Sequence, residues 1–541
     1  MSMVRSIVIG SIITNISSIH SISSKNNTRD PKSISMNLQP ASVAANVATA
    51  TAAAAAMGVV PPRATTLEGE MEMLRLDEVA ALVLSVGHTW TQAGYAGEDT
   101  PKSIFPTSVG WVDLPAEADQ GDDADNSEDT QMQDVTQDGA SASDSNHIGK
   151  KDADGGDVAP QPVGAGVVPS KKKITKRGKY YVGDGEISCW RPDMEIKSPM
   201  KDGLVEDWDA LEQIWDHAFL KRLRCDPTEH PLIITESAWN TREIREKLTE
   251  LAFEKYNFPA FFVAKDAVMT AFAAGRPHAL VVDSGGDMTS VVPVYDGYVL
   301  RKGIMRQSLG GDVLSDQVLQ QFKANDVEVT PQYLIAKKSP VIVGQKPNVV
   351  LRDRPATPSF HKMMQMRVLH DFKESVCQVA ESTYNEQNIN TRPQKPYELP
   401  DGYNFNFGAE RFKVPEIMFN PKEFLKNPTP EQENFVGLPK LIFNSAQSCD
   451  IDFRPTLFGN VVLTGGNTLF PGFADRLHWE LNSIPHSYKV KLHAPGNTVE
   501  RKCGSWLGGS IMASLGTFHQ LWISRKEYDE TGSSIVNKKC V

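Results

Sequence analysis

Short apolar runs that end in glycine turns form the clearest pattern in this chain, and one such pattern occurs twice. Residues 81–97 read ALVLSVGHTWTQAGYAG, and residues 279–297 read ALVVDSGGDMTSVVPVYDG. In each segment an apolar run leads into a small-residue turn, around Gly87 or Gly285, and a second run closes on a glycine. This order is typical of a β-hairpin. The sequence therefore predicts two matched hairpins in distant parts of the chain.

Strand-like and helical periodicities alternate between these hairpins. The pattern predicts a helix over 208–223, a buried strand over 230–237, a helix over 241–256 and a strand leading into a helix over 259–275. The apolar face of the first helix consists of Leu211, Ile214, Trp215, Ala218, Phe219 and Leu223. Asn240 and Glu243 are spaced as a capping box for the second helix. Alternating strands and helices indicate an α/β architecture.

Composition narrows the class of protein. At 541 residues with 40% hydrophobic and 23% charged positions, the chain suits a soluble globular protein of about two to four domains. No apolar run has the length that crossing a bilayer requires, so no membrane partner is expected. The net charge of −11 does not argue for direct nucleic-acid binding, and no direct sequence-specific DNA binding is expected. Six scattered cysteines without a C-x-x-C pair suggest reduced thiols inside a cell.

Two segments differ from the rest in composition. Residues 1–73 are rich in Ser and Ala and predict a low-complexity, disordered tail, with a targeting segment over 1–30 as the alternative. A folded domain over 74–541 contains an insertion at 112–176, which is acidic over 113–144 and then basic over 169–179 (PSKKKITKRGK). The acidic part predicts disorder. The basic part is interpreted as a nuclear import signal or as a solvated charge run.

Three further pieces carry candidate binding chemistry. Residues 463–477 (LTGGNTLFPGFADRL) place paired glycines at a strand-to-helix turn, where a flat ring can lie on the backbone. Residues 370–382 predict a helix that presents Lys373 and Glu374, and residues 500–530 contain WLGGSIMASL. Glycine turns let backbone N–H groups approach an anion closely. Two such turns facing each other across a cleft would hold a polyphosphate from both sides. The proline-rich stretch over 337–358 predicts a surface loop.

These motifs together resemble actin and the actin-related proteins. The resemblance rests on YAGED, DSGGDMTSVVPVYDGY, TGGNTLFPG, WLGGSIMASL and the ending WISRKEYDETGSSIVNKKCV, and it covers nearly all of residues 76–541. It implies the two-lobed α/β fold shared by actin, sugar kinases and heat-shock ATPases. It also implies ATP or ADP between the lobes, with Mg²⁺ or Ca²⁺ at the phosphates.

The resemblance also implies site residues, position by position. Lys373, Glu374, Gly466, Phe470 and Lys502 would contact the adenosine, with Gly465 and Asn467 in the same turn. Phosphates would lie on the two hairpin turns, at Gly87 and His88 on one side and at Gly285, Gly286 and Asp287 on the other. Asp283 would organise the metal ion, and Gly311 would let the chain pass close to the ribose.

Several positions depart from the actin pattern. Ser85 stands where actin has a metal-organising Asp, and Gln92 stands where actin has a phosphate-binding Lys. The second hairpin has Gly286 and Asp287 in reversed order. Asp266 and Ser290 replace the Gln and His that position the attacking water in actin. Asp266 is interpreted either as a proton acceptor for water or as a surface residue paired with Lys265. A nucleotide that binds with little or no hydrolysis is therefore expected.

The same resemblance points to a nuclear class of actin-related proteins in chromatin remodelling and histone acetyltransferase complexes. It implies a non-polymerising scaffold that pairs with nuclear actin. An amphipathic helix of a large catalytic subunit would bind a groove near WISRKEYDE. The acidic insertion and the extra Pro and charge over 420–440 oppose filament contacts, and the insertion could also contact histones or nucleosomes. The alternatives are an ATP-hydrolysing cytoskeletal filament protein and a sugar or acetate kinase.

Overall fold

The computed structural model describes residues 79–113, 178–485 and 487–540. The predicted tail over 1–73 lies outside the described residues, as do all but the first two residues of the predicted insertion at 112–176. The chain divides into one unit of residues 1–112 with 180–541 and a second unit of residues 113–179. Of the second unit only Asp113, Gly178 and Lys179 are described. The folded unit below is therefore the first.

The β-strands of the described residues are short and fall into several sheets. In chain order they are β1 Leu82–Val86, β2 Trp90–Tyr95, β3 Ser103–Pro106, β4 Val109–Asp113, β5 Gly178–Val182, β6 Glu195–Lys197, β7 Met200–Lys201, β8 Leu204–Val205, β9 Leu232–Glu236, β10 Ala260–Lys265, β11 Ala279–Ser284, β12 Thr289–Tyr295, β13 Tyr298–Val299, β14 Met305–Gln307, β15 Ile335–Ser339, β16 Asn348–Leu351, β17 Lys395–Glu398, β18 Asn404–Phe407, β19 Val461–Thr464, β20 Leu492–His493 and β21 Ile523–Ser524.

The α-helices connect and cover these strands. In chain order they are α1 Asp184–Ile187, α2 Trp208–Asp216, α3 Arg242–Glu250, α4 Asp266–Ala273, α5 Gly311–Ala324, α6 Pro358–Val376, α7 Glu386–Ile389, α8 Glu410–Glu416, α9 Pro421–Phe424, α10 Leu438–Gln447, α11 Arg454–Phe458, α12 Phe473–Ser483, α13 Thr498–Lys502, α14 Gly504–Ala513, α15 Arg525–Thr531 and α16 Val536–Lys539. Two helices continue with π-helical geometry, α2 through His217–Leu223 and α3 through Leu251–Lys255. Among the described residues, no helix combines the length and the apolar content needed to cross a bilayer.

Two six-stranded sheets organise the unit, and each has a hairpin beside a parallel strand. The first sheet has the order β21-β10-β9-β1-β2-β3, and the second has the order β13-β12-β11-β19-β20 with β14 beside β12. Strand β1 pairs antiparallel with β2 and parallel with β9. Strand β11 pairs antiparallel with β12 and parallel with β19 in the same way. Helices α4 and α14 pack against one another, and α14 also lies on β1 and β9.

The register confirms the two predicted hairpins as a structural repeat. Ser85 lies opposite Gln92 in the first hairpin, and Asp283 lies opposite Ser290 in the second. The parallel neighbours are Thr235 for Ser85 and Thr464 for Asp283. Ser85 and Asp283 are therefore equivalent positions of the two sheets. Asp283 carries a carboxylate at this position, and Ser85 carries a hydroxyl.

A buried apolar core supports each sheet. The core around the first sheet includes Leu82, Ile233, Trp215 and Trp506, and the core around the second includes Leu280, Leu314, Phe372 and Leu463. The predicted apolar face of the helix over 208–223 is confirmed, since its first five members are buried and Leu223 packs against them. Burial of these faces supplies the main driving force for folding.

Three local predictions are wrong. The N-cap of α3 is Thr241, whose hydroxyl accepts from Ile244 N, and not Asn240. The helix predicted over 370–382 is the end of α6, which stops at Val376. The stretch over 337–358 is not a plain loop, because β15 and β16 pair as an antiparallel hairpin before α6 begins at Pro358. The sequence pattern did not predict this hairpin, because the prolines next to its strands interrupt the alternation of apolar and polar residues that indicates a strand.

Candidate functional site

A cleft with a volume of about 500 Å³ lies where the hairpins of the two sheets meet. All the predicted site residues line it: Gly87, His88, Asp283, Gly285, Gly286, Asp287, Gly311, Lys373, Glu374, Gly465, Gly466, Asn467, Phe470 and Lys502. The positions that depart from the actin pattern, Ser85, Gln92, Asp266 and Ser290, line the same cleft. The structure therefore brings together residues from seven separate segments of the chain.

The two hairpin turns have the same backbone geometry and approach each other closely. Gly87 N donates to Trp90 O at 3.0 Å, and Gly285 N donates to Met288 O at 3.0 Å. A Cβ at Gly286 would lie 2.1 Å from Thr89 Oγ1 of the first turn. A side chain at position 286 would displace the Thr89 side chain of the opposite turn, so glycine lets the two turns lie this close. Such opposed backbone turns can surround an anion from two sides.

A third backbone segment is joined to the second turn at the start of α5. Gly311 N donates to Gly285 O at 2.9 Å, and Asp312 N donates to Gly286 O at 2.8 Å. A Cβ at Gly310 would lie 2.3 Å from Gly286 O. These contacts fix the second turn against a helix N-terminus, where backbone N–H groups favour negative charge.

Lys373 and Asn467 hold the walls of the cleft together. Lys373 is 6% exposed, and its Nζ donates to Gly311 O at 2.6 Å and to Ser315 Oγ at 3.0 Å. Burial lowers the pKa of Lys373 to about 8. Asn467 Nδ2 donates to Gly285 O at 2.7 Å and to Ser284 Oγ at 3.1 Å. Both predicted site residues therefore position backbone as well as line the cleft.

Paired glycines form an open surface at the other end of the cleft. Gly465 has φ 93°, and a Cβ there would lie 2.3 Å from Ser284 O. A Cβ at Gly466 would meet no described atom within 4 Å, so its face toward the cleft is free. Phe470 is buried just after the 3₁₀ turn Gly466–Leu469. Lys502 Nζ lies 3.5 Å from Glu374 Oε1. A flat ring has room beside these backbone atoms.

A cluster of acids and histidines crosses the cleft near the two turns. His88 Nε2 lies 3.5 Å from Asp312 Oδ2, His370 Nε2 lies 3.4 Å from Asp312 Oδ1, and His88 Nδ1 lies 3.8 Å from Asp287 Oδ2. Burial opposes the charge of Asp312, but the hydrogen bonds and charges of His370 and His88 outweigh it and lower the pKa of Asp312. Burial likewise opposes protonation of His88, yet Asp312 and Asp287 raise its pKa. Burial raises the pKa of Asp287.

Asp312 and His370 are members of the site that the sequence patterns did not predict. Two signals were available for them. Asp312 follows the glycine pair of SLGGD in the first turn of α5. His370 precedes Lys373 by three positions on α6, which is the spacing of residues that share a helix face.

The first hairpin has no charged side chain at Ser85 and Gln92, the two positions that differ from the actin pattern. Ser85 Oγ accepts a hydrogen bond from Thr235 Oγ1 at 2.8 Å and lies 3.4 Å from Ser505 Oγ. Gln92 Nε2 donates to Lys502 O at 3.3 Å. Ser290 is buried beside Asp283 in the ladder of the second hairpin. These neutral groups are held by neighbouring protein atoms.

Of the two interpretations of Asp266, the surface ion pair with Lys265 is wrong. Lys265 Nζ instead lies 2.5 Å from Glu236 Oε1. Asp266 is the first residue of α4, is partly buried in the cleft, and accepts from Ala267 N at 2.6 Å. Burial, and secondarily the charge of Asp283, raises the pKa of Asp266 to about 7, and burial raises the pKa of Asp283 to about 6. Asp266 is therefore a residue of the site and not a surface residue.

The fold and the cleft agree with the comparison with known proteins. The family model described as Actin matches residues 76–541, and the chain belongs to the actin family. The two-lobed α/β fold expected from the sequence is thereby confirmed. Actin-family proteins bind nucleotide, which agrees with the expectation of ATP or ADP.

Several curated relatives match most of the chain. The chain is 41% identical over 472 residues to actin-related protein 4 of Oryza sativa subsp. japonica, covering 86% of this chain and 99% of the rice protein. It is 39% identical over 474 residues to actin-related protein 4 of Arabidopsis thaliana, covering 86% of this chain and 99% of the Arabidopsis protein. It is 33% identical over 484 residues to the SWI/SNF and RSC complexes subunit arp42 of Schizosaccharomyces pombe (strain 972), covering 86% of this chain and 100% of the yeast protein.

The polar atoms of the cleft fit a bound nucleotide. His88 Nδ1 and Thr89 Oγ1 are buried at the first turn without a hydrogen-bond partner among the described residues. Both can donate to a phosphate oxygen. The free face of Gly466 and the ring of Phe470 leave room for the base at the other end. The glycine turns would hold the phosphates.

The donor set of the cleft also fits a hard divalent cation. Asp283 makes no side-chain hydrogen bond or ion pair with any described residue, and its carboxylate lines the cleft. Within the described residues, no group of three or more His, Cys, Asp or Glu could hold a metal by itself. That agrees with Mg²⁺, which takes one or two carboxylates and completes its shell with water and phosphate oxygens. Asp283 is the residue that would hold the ion in the second sheet.

Proposed function

We propose that this chain is a non-polymerising, nucleotide-binding scaffold subunit of nuclear chromatin remodelling and histone acetyltransferase complexes, and that it holds ATP or ADP without significant hydrolysis. The observation that carries the proposal is the contrast within one cleft. Both glycine turns keep the geometry of an anion cradle, while Ser85, Gln92 and Ser290 present neutral side chains there. Nucleotide binding needs the backbone donors of the glycine turns, and these are present. Hydrolysis needs charged and water-positioning side chains, which Ser85, Gln92 and Ser290 do not supply.

Hydrolysis of a phosphoanhydride requires an oriented water and stabilisation of charge on the transferred phosphoryl group. At the two positions that position water in the actin pattern, Ser290 is a buried hydroxyl and Asp266 is an acid that lines the cleft. A carboxylate repels the phosphates that the water must attack. Gln92 adds no positive charge. A nucleotide held in this way acts as a ligand that stabilises the folded, closed protein in proportion to its concentration and affinity.

The proposed assembly rests on similarity. The relative arp42 is named as a subunit of the SWI/SNF and RSC complexes, and the other relatives are named actin-related protein 4. An amphipathic helix of a large catalytic subunit is proposed to bind near the segment WISRKEYDE (residues 522–530), which contains most of α15. Nuclear actin, and histones or nucleosomes, are the other proposed partners.

Nucleotide retention without turnover is the first test. We expect purified full-length chain to carry ATP or ADP that chromatography of an acid extract identifies. We expect it to release phosphate at least about 100-fold more slowly than actin under the same conditions, because a missing water-positioning group costs about that factor. Phosphate release at the rate of actin would contradict the proposal, and so would pelleting of filaments in magnesium and ATP.

The partners are tested by affinity purification of the tagged chain from nuclear extract, followed by mass spectrometry. We expect remodeller and acetyltransferase subunits together with actin, because the proposed role is that of a scaffold within those complexes. The matched control is tagged actin from the same extract, which distinguishes partners of this chain from general actin-binding proteins. Recovery of cytoskeletal proteins alone would support the filament alternative.

A further inference from the structure

Asp266 and Asp283 line the same cleft and belong to segments of different sheets. Asp266 follows β10 of the first sheet directly, and Asp283 lies near the end of β11 of the second sheet. Both line the cleft, and the charge of Asp283 acts on Asp266. Two partly buried carboxylates in one cavity repel each other unless a cation or a proton lies between them.

Among the described residues, no basic side chain forms an ion pair with Asp266 or Asp283. Lys265, the nearest in sequence, is held by Glu236, which also binds Arg245 Nε at 3.0 Å. Lys373 is held by Gly311 O and Ser315 Oγ. The hydrogen bond from Ala267 N and the charge of Lys265 favour ionised Asp266, but burial and the charge of Asp283 outweigh them. The residues that surround the pair therefore favour an external cation.

The loss of the carboxylate at position 85 has a counterpart at position 266. In the actin pattern an Asp stands at position 85 and an amide at position 266, whereas this chain has Ser85 and Asp266. Ser85 Oγ accepts from Thr235 Oγ1 and lies 3.4 Å from Ser505 Oγ, and it carries no charge that could replace a carboxylate. The carboxylate that is absent from the first hairpin is matched by one at the start of α4.

We propose that Asp266 replaces the missing carboxylate of the first hairpin, and that Asp266 and Asp283 together hold the divalent cation of the bound nucleotide across the two sheets. This inference rests on the proposed nucleotide binding. A magnesium ion with two carboxylates, water and phosphate oxygens has its preferred hard ligands. The same ion would connect the two sheets and offset the repulsion between phosphates and acids. Asp266, the group expected to hinder hydrolysis, thus supports nucleotide binding.

The test measures the dependence of ATP binding on magnesium. Full-length chain is freed of nucleotide and metal with a chelator, and ATP binding is followed by titration calorimetry at increasing Mg²⁺. We expect Asp266→Asn to raise the Mg²⁺ concentration for half-maximal binding about 10- to 100-fold, the usual effect of a lost metal-site partner. We expect the double variant Ser85→Asp/Asp266→Gln, which moves the charge back to the first hairpin, to return near the wild-type value.

The control is Asp316→Asn, which removes an acid from the exposed surface of α5, 3.9 Å from Lys362, and should leave the magnesium dependence unchanged. An unchanged or lower magnesium requirement in Asp266→Asn, while wild type binds ATP with magnesium, would overturn this inference alone and would favour a proton shared by the two acids. Absence of ATP binding by wild type at every magnesium concentration would overturn the proposed function as well. Circular dichroism of each variant verifies that the fold is retained.

Discussion

Replacing Arg476 with alanine is expected to lower the free energy of unfolding by about 3–5 kcal/mol. Arg476 lies on α12, and its side chain and that of Glu416 are each 1% exposed. The two form a bidentate pair, with distances of 3.0 Å from Nη1 to Oε2 and 2.6 Å from Nη2 to Oε1. Removal of the guanidinium leaves the carboxylate of Glu416 buried without its cation, which is the costly way to break such a pair.

Arg476 also fixes a bend of the backbone after α6. Its Nη1 donates to the carbonyl oxygens of Ala380 and Ser382, and its Nε donates to Glu480 Oε1 at 2.9 Å. The guanidinium lies 4.8 Å from the centre of the Phe419 ring. Every donor direction is thus used, and an alanine would leave several buried acceptors without a partner. Burial raises the pKa of Glu416 even with Arg476 present, so the acid depends on this partner to remain charged.

Chemical denaturation of the full chain, with and without the substitution, measures the effect. The matched control is Arg392→Ala in the same part of the chain, because the Arg392–Glu381 pair at 3.1 Å is half exposed and should contribute at most about 1 kcal/mol. The double variant Arg476→Met/Glu416→Leu is expected to recover much of the loss, since it leaves no buried charge unpaired. A loss of less than about 1 kcal/mol in Arg476→Ala would show that water reaches this pair.

The hairpins and the glycines of the cleft could be predicted because their signals are local. A glycine between two apolar runs specifies a turn, and the turn carries its own backbone donors. Gly87 and Gly285 therefore lie where the sequence placed them, and both turns close with the same hydrogen bond. The roles of Lys373 and Asn467 in holding backbone were not predictable in the same way. Their partners lie on other segments and are set by tertiary packing.

Two of the wrong predictions have one cause, the buried carboxylate of Glu236. It lies opposite Lys265 in the parallel ladder of β9 and β10, and it accepts from Asn240 Nδ2 at 2.7 Å and from Arg245 Nε. A buried charge is stable only when donors pair with it. The side chains of Asn240 and Lys265 therefore bind Glu236, and they do not cap α3 or pair with Asp266. The pairing register of β9 and β10 determines these contacts, and it cannot be derived from the spacing of residues along the sequence.

The adjacent glycines 465 and 466 are expected to respond to alanine in opposite ways. Gly465→Ala should lower the free energy of unfolding of the nucleotide-free chain by about 2–4 kcal/mol. Its φ of 93° disfavours any residue with a Cβ, and that Cβ would lie 2.3 Å from Ser284 O and 2.5 Å from Asp283 Oδ1. The turn of the second hairpin, around Gly285, would have to move away, and nucleotide binding should be lost together with stability.

Gly466→Ala is the matched control for stability and an independent probe of the site. Its Cβ would meet no described atom within 4 Å, so the unfolding of the nucleotide-free chain should be unchanged. If the base of the nucleotide lies on this backbone, the same methyl group occupies the space of the ring, and ATP binding should weaken by about 10-fold or more. Denaturation of the nucleotide-free protein and calorimetry with ATP separate the two effects. An unchanged stability of Gly465→Ala would show that the packing around Gly465 tolerates a side chain, and unaltered ATP binding in Gly466→Ala would place the base elsewhere in the cleft.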